Sequence, residues 1–107
     1  MNYGLTDETL AEIHRVLSQQ PEVERAILYG SRAKGTQRAG SDIDLALVGA
    51  DLDDRIVGRI ADDFEDGWLP YRFDLCLLNR IHHTALLDHI RRVGIVLYEK
   101  QHAATPH

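Results

Sequence analysis

The chain has 107 residues, 12 of them Lys or Arg and 17 Asp or Glu, giving a net charge of −5 at neutral pH with 44% apolar and 27% charged residues. That describes one soluble globular domain, too short for a separate acceptor domain, with no apolar run near the roughly 18 residues of a membrane span and no secretory start, hence a cytoplasmic protein. The single cysteine, Cys76, excludes an internal disulfide and a cysteine-based zinc site, and the acidic balance argues against nonspecific DNA or RNA binding but not against a nucleotide.

Thr6 or Asp7 can cap a first helix in which Leu10, Ile13 and Leu17 recur at helical spacing, and Pro21 stops it near Gln19. Residues 23–29 (VERAILY) read as a strand, 30–41 as a loop and 43–48 (IDLALV) as a second strand. Asp53 can cap a helix carrying Ile56, Val57, Ile60, Ala61 and Phe64 on one face and closed by Gly67. Residues 71–78 (YRFDLCLL) predict a third strand, 84–93 a helix ended by Gly94, and 95–98 (IVLY) a short last strand. The expected fold is α+β (α/β-like), a small mixed sheet of about four strands covered by helices, with one domain over 1–99 and a flexible tail over 100–107.

The chemistry concentrates in residues 30–45, GSRAKGTQRAGSDIDL. Gly30, Gly35 and Gly40 allow close backbone approach to a ligand, Ser31 and Ser41 offer hydroxyls, and Arg32, Lys34 and Arg38 place three positive charges ahead of Asp42. Such donors suit the oxygens of a polyphosphate, particularly if a helix starts after Ser31. The segment is not a Walker A loop, since Thr36 and Gln37 follow Gly35. Nor do Asp51 and Asp53 open an EF-hand, because Ile56 stands where glycine is required.

Asp42 and Asp44 are two apart on a strand, so both carboxylates leave one face, about 7 Å apart, while Ile43 and Leu45 take the other. At that distance they repel by about 2.4 kcal/mol at an effective dielectric of 20, and a third carboxylate roughly triples the sum. Asp74 on the third strand, its face continued by Cys76 and Leu78, is the candidate third member; its alternative is a pair with Arg72. A divalent cation held by such oxygen ligands removes the repulsion, and the donor set favours Mg2+ or Mn2+ over zinc.

Gly30-Ser31, ten residues, then Asp42-x-Asp44, with Asp74 on a later strand, resembles the nucleotidyltransferase superfamily of DNA polymerase beta type, and within it the minimal nucleotidyltransferases. The resemblance covers residues 5–99. It implies a mixed sheet flanked by helices, two Mg2+ held by Asp42, Asp44 and Asp74, and a triphosphate gripped by the loop with Gly30, Ser31, Arg32, Lys34 and Ser41. It further implies transfer of AMP from ATP to a hydroxyl supplied by a partner, commonly a tyrosine of a helical HEPN-type toxin, with this chain as the antitoxin. The alternatives are a noncatalytic subunit that masks a toxin or senses a nucleotide, and transfer to a small molecule such as an antibiotic.

Other features have plainer readings. The acids of residues 51–66, seven against Arg55 and Arg59, read as a solvated helix face or a surface for a basic partner. His82, His83 and His89 lack zinc spacing and read as surface or partner contacts. Trp68 and Tyr71 could stack on a base but beside Pro70 read first as core or rim, Cys76 reads as a small core residue, and Arg91 and Arg92 as answering a helix dipole.

Overall fold

The structure is a computed structural model that describes residues 3–100. In α1 (Asp7–Ser18), Thr6 Oγ1 accepts from the Thr9 amide at 3.1 Å, and Ile13, Val16 and Leu17 are buried along one side. β1 (Arg25–Tyr29) is shorter than the sequence predicts: the Val23 amide turns back to donate to Gln20 O, while Glu24 still bonds to the neighbouring strand, its amide donating to Val48 O at 2.8 Å. The stretch read as a loop contains a short helix, α2 (Gly30–Lys34), followed by β2 (Ile43–Val48). Asp53 Oδ1 caps α3 (Asp54–Asp66) by accepting from the Ile56 amide at 3.0 Å. Then come β3 (Phe73–Leu77), trimmed at its end by a 3-10 turn over Leu78–Arg80, α4 (Thr84–Val93) and β4 (Ile95–Glu99).

The strands form one sheet in the order β3-β2-β1-β4. β1 is antiparallel to β2 and to β4, whereas β2 and β3 run parallel. α3 supplies the crossover that a parallel neighbour requires. This four-stranded mixed sheet with flanking helices is the α+β fold expected.

Alternation along the strands sorts side chains onto two faces. Ala26, Leu28, Ile43, Leu45, Leu47, Leu75 and Leu77 meet α1 and α3 in the larger core, where Phe64 and Phe73 stack with centroids 3.8 Å apart. On the opposite face Tyr29, Ala46 and Cys76 pack with Ile90 and Leu86 of α4. Leu69 is buried and Trp68 is 60% exposed, so Trp68 is not a core residue: the linker after Gly67 spends its one buried position on the leucine beside it.

Of the tail expected over 100–107, Lys100 is tied down, its amide donating to Glu24 O at 2.8 Å and its Nζ to Pro21 O at 2.9 Å. The remainder lies outside the described residues. Among these no helix is long and apolar enough to cross a membrane.

Candidate active site

Asp44 is the second residue of β2, and Asp42 stands just before the strand begins. The parallel register pairs Asp44 with Asp74, and the antiparallel register pairs it with Tyr29. Tyr29, Asp44 and Asp74 therefore form a row across three strands on the face that α4 covers. Asp74 is exposed on an edge strand and has no ion pair among the described residues, so the alternative in which Arg72 neutralises it is not realised.

This crowding shows in the protonation of the row. Partial burial, then the charges of Asp74 and Asp42, push the Asp44 carboxyl up to about 6, with Arg32 pulling the other way. Tyr29 lies deeper; burial, then its hydrogen bond with Cys76, hold its phenol well above the usual range. Its hydroxyl is 3.5 Å from Cys76 Sγ, which also lies 3.8 Å from Leu45 O. Burial likewise raises the Cys76 thiol, so this half-buried cysteine is a poor nucleophile.

The turn from β1 into α2 lies against Asp44. Gly30 has φ +76°, and a Cβ there would collide with Asp44 Oδ2. Only glycine combines this left-handed conformation with so close an approach. The next residue, Ser31, is half-buried, and its hydroxyl has no protein hydrogen bond among the described residues. Lys34, one turn on, is exposed and has no ion pair among the described residues.

Arg32 and Ser41 are engaged within the loop itself. Arg32 is 3% exposed; its Nε and Nη2 donate to Ser41 O at 3.2 and 2.9 Å, its Nη1 donates to Tyr3 O at 3.0 Å, and its guanidinium lies 4.9 Å from the centre of the Tyr71 ring. Ser41 Oγ accepts from the Arg38 amide at 2.8 Å and closes the turn before Asp42. Both belong to the loop that the resemblance assigns to the triphosphate, and both fasten that loop, the buried guanidinium spending donors on the fixed acceptors Ser41 O and Tyr3 O.

Sequence reasoning missed His89. The sequence groups it with His82 and His83 as a surface or partner contact, yet it is half-buried on α4, and its Nε2 accepts from the Gly30 amide at 3.1 Å. His83 caps α4, with Nδ1 accepting from the Leu86 amide at 3.3 Å, and His82 is exposed, so the three histidines serve different ends. Nothing local marks His89; its partner lies 59 residues away.

Among the described residues no three carboxylate, imidazole or thiolate groups already close around a single point as a metal cage would. The donor chemistry nonetheless fits a hard divalent cation. Three carboxylates stand at adjoining positions, and the charges of Asp74 and Asp42, which add to burial in raising Asp44, are what a cation between them would offset.

A family model described as "Polymerase beta, Nucleotidyltransferase" matches residues 11–103. A Haemophilus influenzae protein named "Probable protein adenylyltransferase MntA" is 32% identical over 98 residues, 91% of this chain and 85% of that one. Among solved structures, a toxin-antitoxin with AMP-PNP matches with a TM-score of 0.69 and 30% identity, covering 86% of this chain and 74% of that one. A structure of a tri-AMPylated Shewanella oneidensis HEPN toxin in complex with MNT antitoxin matches with a TM-score of 0.63 and 26% identity, covering 86% and 71%. The family model over most of the chain and the relative at 32% identity agree, and the chain belongs to the polymerase beta nucleotidyltransferase family.

Proposed function

We infer that this chain is an antitoxin that transfers AMP from ATP to a tyrosine hydroxyl of a helical HEPN-type toxin. Its relatives named above carry that activity or that partner in their names. The observation that carries the reading is the register placing Asp74 beside Asp44, with Asp42 two residues before it, against the Gly30 and Ser31 turn. Residues 1–99 act as one minimal domain in the cytoplasm, where ATP and a newly made partner are both at hand.

The site residues divide the work. Ser31 Oγ and the Lys34 ammonium hold the β- and γ-phosphates, while Arg32 and Ser41 keep the loop in the shape that presents them. Asp42, Asp44 and Asp74 are the residues that would hold two Mg2+, or Mn2+ in their place, which would supply Lewis-acid stabilisation of the acceptor oxygen and of the pyrophosphate. The tyrosine oxygen bonds to the α-phosphorus as the bond to the β-phosphate oxygen breaks in line. Asp74, exposed at the sheet edge, faces the acceptor side and takes the hydroxyl proton. Tyr29, held protonated and bonded to Cys76, gives the row an apolar floor that does not compete for that proton.

Coexpression with the product of the neighbouring gene, followed by mass spectrometry, tests the reading. The partner gains one or more AMP units with the wild type and none with Asp42→Asn plus Asp44→Asn. A partner that is neutralised by that double variant and stays unmodified with the wild type identifies a masking subunit and overturns it.

A further inference from the structure

We propose that His89 is a positioning residue for the transfer reaction: its imidazole holds the Gly30 amide and thereby sets Ser31 against the carboxylate row. Three observations carry this. First, α2 begins without help from its own sequence, since Tyr29 at its N-cap makes no side-chain cap hydrogen bond. Helix-initial amides left unpaired are costly, and the Gly30 amide is satisfied from α4, by His89 Nε2 at 3.1 Å. A backbone amide can only donate, so Nε2 carries the lone pair and the ring is neutral with its proton on Nδ1. Second, the ring is itself steered, meeting the Tyr29 ring edge to face with centroids 6.3 Å apart and planes at 81°. His89 thus grips both residues at the junction of β1 and α2. Third, Gly30 has no slack toward Asp44, because its Cα lies where any added Cβ would strike Asp44 Oδ2. A small rotation of Gly30 therefore becomes a displacement of Ser31 relative to Asp44, and misplacement of a reacting group is heavily penalised.

One consequence separates His89 from an ordinary core histidine. The amide it occupies is one that a triphosphate in the loop would otherwise find free. His89 reserves Gly30 for the architecture and leaves phosphate binding to Ser31 and Lys34. If the imidazole instead merely blocked the amide, its removal would tighten nucleotide binding.

The test compares His89→Phe, which keeps a ring but has no acceptor, with His89→Gln, whose Oε1 can take the place of Nε2. Amide hydrogen exchange at Gly30 needs no nucleotide: it should be about tenfold faster in His89→Phe than in the wild type and recover in His89→Gln. In AMP transfer, which rests on the function inferred above, His89→Phe should lower kcat about tenfold with KM for ATP within about twofold, and His89→Gln should restore most of the loss. Equal Gly30 exchange in all three proteins, an unchanged kcat in His89→Phe, equal losses in both variants, or tighter ATP binding in His89→Phe would each overturn the proposal. A wild type that transfers no AMP would refute the functional reading alone, and the exchange comparison would still decide whether His89 holds Gly30.

Discussion

Asp44 and Asp74 are register partners across the only parallel strand pair of the described sheet, so their carboxylates leave the same face side by side although 30 positions separate them in the chain. Neither has a basic partner close enough for an ion pair among the described residues. The site is thus assembled at some expense to the fold, as a binding site for cations or developing charge commonly is.

Replacing Asp44 by Asn should stabilise the protein while abolishing transfer. The folded carboxyl titrates at about 6 against an ordinary 3.8, so the folded state binds the proton more tightly than the unfolded state does. Stability is therefore lost as pH rises from about 3.8 to about 6, and the loss is complete above that window. The group is partly solvated, so the shift is discounted to about 1–2 kcal/mol. Thermal melts should show the Asp44→Asn gain at pH 7.5 and its disappearance near pH 3.5.

Gly30→Ala should destabilise by about 1–3 kcal/mol, from the left-handed backbone together with the collision at Asp44 Oδ2. Asp44→Ala removes the second contribution and leaves the first. A double-mutant cycle by chemical denaturation should therefore give a nonzero coupling between these positions, with the double variant more stable than additivity predicts.

Arg32→Lys should cost about 2–4 kcal/mol despite conserving the charge. An ammonium lacks the planar fork by which Arg32 reaches Ser41 O through Nε and Nη2 and Tyr3 O through Nη1, with its guanidinium 4.9 Å from the centre of the Tyr71 ring. Hydrogen exchange should localise the loosening to residues 35–41, and transfer should fall with it.

Chelation should abolish AMP transfer and leave the fold intact, because the larger core on α1 and α3 owes nothing to the carboxylate row. Circular dichroism should be unchanged by EDTA. Added Mg2+ or Mn2+ should restore at least half of the activity.

How much of this is legible beforehand depends on the range of the interaction. The period-two pattern around Ile43 and Leu45 places Asp44, and Asp42 just before the strand, on the face opposite those two residues, and Thr6, Asp53 and Gly67 mark helix ends through contacts within three residues. The limits of β2 and α4 follow from such signals. Strand order and the parallel pairing that brings Asp74 to Asp44 depend on contacts across the whole chain, which no local window contains. α2 is too short to show a helical period, so its residues read as loop. Arg32 and His89 carry ordinary surface side chains, and only the tertiary structure turns one inward onto Tyr3 and Ser41 and the other onto Gly30.

The two outermost bonds of the described chain lie at opposite ends of β1. Tyr3 O is held by Arg32 beside the glycine turn, whereas Lys100 is sewn to Pro21 and Glu24 where β1 begins. A fluorophore, affinity handle or tether attached ahead of Tyr3 would pull on the very strap that shapes the turn. The same appendage placed after Lys100 would hang from the end of β1 that carries none of the turn's bonds, the better place from which to immobilise this protein for single-molecule or surface work.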